Sequence, residues 1–381
     1  MLEWIIIGGG IHGTLLANFL ISSRKVQAHQ IQILDPYPRL LSRWQHCTSN
    51  CGMEFLRSTL VHHIDVDPFS LRKYSRKSPV RHRFIEPYSR PSLKLFNEHC
   101  ESVIQKNKLA KLHRQAAVKN IHVKRGYLQV ESCAGTVDTK RVLLAIGSDS
   151  LHLPDWAKEV NAQHIFSPTF HRQKLDHCKS VAVVGGGISA AQTAMAMARQ
   201  CAEAKVVLVT NHEPDIHRFD SDPGWIGGYL REFHKIEDYS VRRETINNAR
   251  HRGSMTQEVA MTLKQMIAKN KIRMVVDHIK DVRSRDDDYV LQTAEESINC
   301  DRVILATGFE KKCPGQWLQS IISQCNLPQA ACGYPIVDKN LHWAYNIFVS
   351  GALSELEIGP VARNIVGARI AASRIVEGVN H

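Results

Sequence analysis

The sequence predicts an α/β protein with two Rossmann-like dinucleotide-binding domains, each a three-layer ββα unit, the second inserted into the first. Three observations predict it. A glycine-rich turn follows a short apolar run at the start of the chain. A second such turn follows a similar run near the middle. Both are followed by the same downstream pattern of short strands closing on A-x-G.

The first apolar run is Trp4–Ile7, which reads as a strand buried on both faces. Gly8, Gly10 and Gly13 follow as G-x-G-x-x-G. The first glycine permits the tight turn, and the second lets the backbone approach a diphosphate. The third lets the next helix pack close to the strand. Ile11 and His12, inside the turn, are placed among the cofactor contacts, His12 as a spacer rather than a catalytic group. Leu15, Leu16, Phe19 and Leu20 supply the helix's apolar face. The next strand, "IQILDP", ends on Asp35, 25 residues after Gly10. A carboxylate there accepts hydrogen bonds from both hydroxyls of an adenosine ribose.

The second turn lies in "VAVVGGGISAAQTAMAMA", 181–198. Gly185, Gly187 and Ala190 repeat the pattern, with Ile188, Ser189 and Gln192 beside them. In the following strand, "KVVLVTNHEP", Thr210 and Asn211 stand where Asp35 stood, with His212, His217 and Arg218 beyond. No carboxylate is there to repel a 2′-phosphate, and polar or basic neighbours can hold one, so NADP(H) is expected over NAD(H). Downstream, "GYLQV" matches "DYVLQT", and "KRVLLAIG" matches "DRVILATG". Segments 117–147 and 275–308 thus form an internal duplication. Val118 and the closing Gly147 and Gly308 are assigned to the cofactors.

The bulk composition is that of an ordinary soluble domain, 43% hydrophobic and 23% charged over 381 residues. No apolar run approaches the ~18–20 residues of a membrane helix. A strand beginning almost at Met1 leaves no room for a signal peptide. The ten cysteines show neither disulfide-framework nor zinc spacing, so no metal is expected and a cytoplasmic, reduced setting is. The net charge of +12 points to an anionic partner: nucleotide phosphates or an acidic substrate. The densest basic stretch, 72–94, reads as a solvated connector. No RNA-binding signature appears, so nucleic acid is not expected. Oligomeric state is not legible.

These features resemble the two-dinucleotide-binding-domain flavoproteins over nearly the whole chain. The resemblance implies FAD on the first unit and a nicotinamide nucleotide, NADP, on the second. It implies an FAD domain of residues 1–165 and 325–381 and an NADP(H) domain of 166–324. The end of the chain, "NIFVSGALSELEIGPVARNIVGARIAASRIV", resembles the family's closing strand and helix. Gly351 is expected at the flavin, and Pro360 in the first helical turn. The N–H groups of Val361, Ala362 and Arg363 are expected at the flavin's pyrimidine edge, where the helix dipole favours negative charge. The family's Gly-Asp pair is Gly351-Ala352 here, and Glu355 is the candidate substitute acid.

Within that superfamily the chain most resembles the lysine/ornithine N-hydroxylases. Trp44, Met53, Leu56 and "HHIDVDPFSLRKY" match their early segment, and "HIFSPTFHRQKLDHCKSVAVVGGG" their approach to the second turn, with Phe170 for Tyr. "ATGF", 306–309, matches their hinge. The resemblance places Arg43 and Trp44 near the flavin phosphates or ring, and Met53 beside the isoalloxazine. In the superfamily's disulfide reductases, four residues separate the redox cysteines and a long dimerisation domain follows. Cys47 and Cys51 have C-x-x-x-C spacing, and only thirty residues follow Gly351; a redox role is not expected.

Segment 213–260 is longer than a crossover needs, and similar N-hydroxylases use an insertion near here for substrate. It carries aromatics and the cations Arg231, Arg242, Arg243, Arg250 and Arg252. Together these could grip a carboxylate or other anion, with Trp225, Tyr229 and Arg242 as the expected contacts. The expected activity is that of an FAD-dependent, NADPH-using monooxygenase on a small polar or anionic substrate. The alternatives are an NADPH-dependent reductase of a quinone, disulfide or partner protein, and a non-catalytic flavin-binding protein.

Overall fold

A computed structural model describes the whole chain except residues 159, 161, 176–177, 286–287 and 380–381. Two sheets, each with a parallel core, carry the two glycine turns. In the first, strand Leu2–Ile7 lies between Ile31–Asp35 and Gly135–Leu144, parallel to both, with Ile6 opposite Ile33 and Leu143. His113–Gln115 extends one edge, and Ile347–Val349 with His342–Ala344 the other. The expected meander is present: Val118–Lys124, Tyr127–Ser132 and Gly135–Leu144 pair antiparallel. The long last strand belongs to both layers and so ties the meander to the parallel sheet.

The second sheet orders Arg273–Val276, Lys205–Thr210, Ser180–Val184, Arg302–Leu305 and Gln163–His164, all parallel. Its meander, Asp281–Arg285, Asp288–Gln292 and Ser297–Cys300, is a separate antiparallel sheet. Continuous apolar runs make these strands because both faces are covered: Trp4–Ile7 and Val181–Val183 are almost wholly buried.

The glycines act sterically. A side-chain carbon on Gly13 would lie 1.9 Å from the carbonyl oxygen of Gly8. One on Gly8, whose φ is +109°, would lie 2.3 Å from that of Ala145. Helix Ile11–Ser22 therefore seats directly on the strand end, and its other side packs on the terminal helix Ile365–Gly378. The second unit repeats the contact, with Gly185 against Ala306 at 2.5 Å and helix Ile188–Gln200 behind it.

Three segments fall otherwise than expected. Gln163–His164 pairs into the second sheet although it was placed in the first domain. Leu318, Ile321 and Ile322 belong to the first core, with helix Gln319–Cys325 against strand Val118–Lys124. The insertion also packs on the first core, through Trp225, Phe233 and Ile246.

Pro360 does not open a helix. A short helix, Glu355–Ile358, ends at Gly359, whose φ of +79° turns the chain away. Residues 360–363 form turns, and the long helix starts only at Ile365. The N–H of Ala362 is spent on Gly359 O at 3.1 Å, and Val361 and Ala362 are buried. They therefore offer no helix N-terminus to a flavin. No helix among the described residues is long and apolar enough to cross a membrane.

The close seat of the first helix is testable. Gly13→Ala is expected to cost about 2–3 kcal/mol through the forced separation of helix and strand. The check is a shift in the urea midpoint at unchanged slope.

Candidate functional site

A cleft of about 1000 Å³ opens where the carboxyl ends of the two sheets face one another. Gly8, Gly10 and Asp35 line it from the first unit, and Gly187, Ile188 and Ser189 from the second. Arg43, Trp44, Val118, Gly147 and Gly308 line it too. These residues, expected from the sequence, are thereby brought to one cavity, and Arg363, expected at the flavin, lines it as well.

The remaining expected residues lie elsewhere. Ile11 and Gly13 are buried in the first turn and helix, and Ala190 and Gln192 in the second helix. Gly185 sits against the backbone of Ala306, behind the lining. His12 lies beneath the turn, its Nδ1 2.8 Å from Ser350 Oγ, and burial holds its imidazole down at about 4, so it is neutral. Met53 packs between the two cores rather than in the cleft. Thr210 is buried and donates its hydroxyl to His212 O at 2.9 Å. Asn211 is exposed outside the lining, and Arg218 lies over the ring of Tyr88 at 5.2 Å. Gly351, Pro360, Val361 and Ala362 are also outside it.

The first unit fits the adenosine diphosphate part of FAD. Asp35 is nearly buried, and its carboxylate is fixed by the N–H groups of Gly9 (2.5 Å) and Tyr37 (2.8 Å). A side chain on Gly10 would meet nothing within 4 Å, so space remains open at the helix N-terminus. No acidic residue occupies that first turn, and the helix end favours an anion. Arg43 presents a buried Nη1 with no hydrogen-bond partner. Phe166 and Phe309 stack at 5.3 Å and give the cleft a flat apolar wall.

The expected substrate contacts are not in the cleft. Trp225 packs edge-on against Tyr229 and Phe233. Tyr229 points to solvent. Arg242 holds the carbonyls of Ile236 (2.7 Å) and Leu356 (2.9 Å), and pairs with Glu357. The insertion instead delivers Arg250, His251, Arg252 and Ser254, joined by Arg57, Ser148 and Arg363. The run of cations in the insertion was the visible signal; its spacing could not say which of them faces inward.

Glu355 does not stand in for the missing ribityl acid. It is fully buried under three guanidiniums, with contacts to Arg363 (2.6 Å), Arg243 (2.8 Å) and Arg250 (3.1 Å). Burial would raise its carboxyl, but the guanidiniums, Arg363 foremost, outweigh burial and hold it at about 2. One carboxylate against three cations leaves an excess of positive charge, and Arg250 and Arg363 carry it into the cleft. Of the early cysteines, Cys47 reaches the cleft while Cys51 lies in the second core, where burial pushes its thiol up to about 12. Burial raises the Cys47 thiol as well.

Residues 3–368 match the pyridine nucleotide-disulphide oxidoreductase family. The chain belongs to this family. Its members bind FAD and a pyridine nucleotide, the two ligands for which the cleft has two glycine turns. No curated protein matches the chain in sequence. Among solved structures, this oxidoreductase is similar to an ornithine N-hydroxylase from Kutzneria sp. 744 holding reduced FAD, NADP+ and L-ornithine. The TM-score is 0.81 at 16% identity, covering 100% of this chain and 99% of that one. It is similar to the FAD-bound cadaverine monooxygenase of desferrioxamine biosynthesis from Erwinia amylovora, with TM-score 0.77, 15% identity and 100% and 94% coverage. A bacillithiol disulfide reductase from Bacillus cereus matches with TM-score 0.62 and 15% identity over 99% and 98% of the chains. At these identities the likeness is one of fold.

The Glu355 cluster gives the oxidoreductase a pH signature. Its carboxyl sits near 2 when folded against an ordinary 4.5. The stabilisation is therefore complete above about pH 4.5 and is lost as pH falls towards 2, worth about 3 kcal/mol in all. Glu355→Gln is expected to lower stability by about 3–5 kcal/mol at neutral pH, since it strands buried cations. The variant's urea midpoint should vary less than the parent's between about pH 5 and 3.

Proposed function

We propose that this oxidoreductase is an FAD-dependent, NADPH-using monooxygenase of the N-hydroxylating kind, acting on a small anionic substrate. One observation carries the reading. Both dinucleotide turns line a single cleft, and among the described residues Cys47 is the only cysteine lining it. A disulfide relay needs two exchangeable sulfurs, and Cys51 is buried with a raised thiol. The similarity to the Kutzneria and Erwinia monooxygenases supports the same reading.

Bound FAD supplies two-electron transfer from reduced nicotinamide to dioxygen. The chain's own part is to place the reactants. The first turn holds the diphosphate and Asp35 the adenosine ribose. Arg43 and Trp44, the latter anchored by its Nε1 on Asn97 Oδ1 at 3.0 Å, sit where the ring system enters. Phe166 and Phe309 exclude water. Arg363, whose Nη1 donates to Ser148 Oγ at 2.6 Å, faces the cleft as a receptor for the substrate's anion. NADPH is favoured because Thr210 and Asn211, not a carboxylate, stand at the end of strand Lys205–Thr210 where Asp35 stands in the first unit. Residues 1–165 and 325–381, apart from Gln163–His164, would serve FAD, and most of 166–324 the nucleotide.

A second reading, an NADPH-dependent reductase, is favoured by Cys47 at the cleft and by the similarity to the Bacillus cereus disulfide reductase. Oxygen dependence separates the two. The monooxygenase reading expects NADPH oxidation to need oxygen, to quicken with substrate, and then to release less hydrogen peroxide per NADPH. Undiminished turnover without oxygen, with a quinone or disulfide as acceptor, contradicts it.

A further inference from the structure

The two diphosphate cradles are not equivalent. In the first turn, the side-chain direction of Gly10 is open. In the second, the same direction from Gly187 meets Gly253, with its Cα at 3.3 Å, its carbonyl carbon at 3.6 Å and its carbonyl oxygen at 3.8 Å. Beside it, a carbon on Gly186 would lie 2.3 Å from Nε2 of His212. The absent side chain of the second glycine marks the place from which a dinucleotide diphosphate approaches. In the second cradle, the chain's own backbone stands there.

Gly253 belongs to segment 250–254, which is held down from several sides. The N–H of His251 donates to Asp220 O at 2.9 Å. The His251 ring stacks on His217 at 3.6 Å, with 6° between planes. Arg250 reaches Glu355. Arg57, from the opposite unit and 13% exposed, ties the edges together. It donates to the Asp220 carboxylate (2.7 Å), to the carbonyls of His217 (2.6 Å) and Phe219 (3.1 Å), and to Ser254 Oγ (3.2 Å).

We propose that segment 250–254 is a tethered occupant of the pyridine nucleotide's diphosphate site, so that the nucleotide binds only as the segment leaves. This rests on the second turn being the nucleotide site and goes beyond any choice between oxygenase and reductase. The release is feasible. When Arg250 lets go, Glu355 keeps Arg243 and Arg363, so no buried carboxylate is stranded. Gly253, at φ +76°, is a position where the backbone can swing without a side chain in the way. The apparent affinity for nucleotide is then the intrinsic affinity multiplied by the fraction of chains with the segment displaced. Arg57 and the His217–His251 stack set that fraction. Arg57 is a positioning residue here: it acts on the segment, not on the nucleotide.

The test compares the FAD-loaded parent with Arg57→Ala and His217→Ala, using NADP+ and NAD+ as probes. Calorimetry gives affinity, stopped-flow mixing gives the binding rate, and hydrogen exchange follows amides 251–255. The parent's binding rate should level off at high nucleotide, limited by displacement of the segment. Both variants should bind roughly tenfold tighter and level off at a higher rate. Saturating nucleotide should speed exchange of the segment's amides in the parent. Should Arg57→Ala lose its flavin, His217→Ala, whose ring is outside the cleft lining, decides alone. Binding in the variants that is equal or weaker, or segment amides that become protected by nucleotide, would overturn the proposal and make the segment a wall of the site. If neither nucleotide binds any of the three proteins, the proposal falls together with the nucleotide site itself.

Discussion

The structure depends on a contact between bare backbones, made twice. Where strand Leu2–Ile7 ends, Gly8 lies against the carbonyl of Ala145, and Gly13 against that of Gly8. Where strand Ser180–Val184 ends, Gly185 lies against the carbonyl of Ala306. Each contact locks three pieces together: the strand before the turn, the helix after it, and the strand that closes the meander. The closing A-x-G of each meander therefore arrives beside its own turn, and the cleft is bounded by both sets. A side chain at any of these glycines would push the pieces apart where they meet the cavity.

Charge is the second organising influence. A chain with net charge +12 has to put its cations somewhere. Many remain in the solvated stretch 72–94, but three arginines converge on Glu355, and two of them, Arg250 and Arg363, line the cleft. The carboxylate is paired several times over, which keeps it ionised and leaves the wall positive. Such a wall suits the phosphates of dinucleotides, and it is built from residues distant in sequence.

That distance explains how much of the molecule could be read from the sequence. The turns, strands and meanders follow from local patterns, so Gly8, Gly10, Asp35, Gly187 and Gly308 were visible in advance. Pro360 was misplaced because a proline marks the start of a helix only when the residue before it permits one. Gly359 takes a left-handed φ, and the helix waits until Ile365. Trp225, Tyr229 and Arg242 were misplaced because composition shows what an insertion carries, not which side faces a cavity. Trp225 anchors the insertion to the first core, and Arg242 caps carbonyls nearby. Glu355 was given the wrong role, and Arg57 escaped notice, because Arg243 and Arg250 for the one and Asp220 for the other lie on segments far along the chain. The cover over the second cradle, Gly253, carries no motif and shows only in three dimensions.

The central claim is that one cavity holds two dinucleotides with their reactive rings in contact. It is tested most directly by the absorbance spectrum of the purified protein, reduced with NADPH in the absence of oxygen. One FAD per chain and a new long-wavelength charge-transfer band, reporting flavin stacked on nicotinamide, is the expected result. A folded protein that is colourless as purified and takes up no flavin on reconstitution would contradict the account.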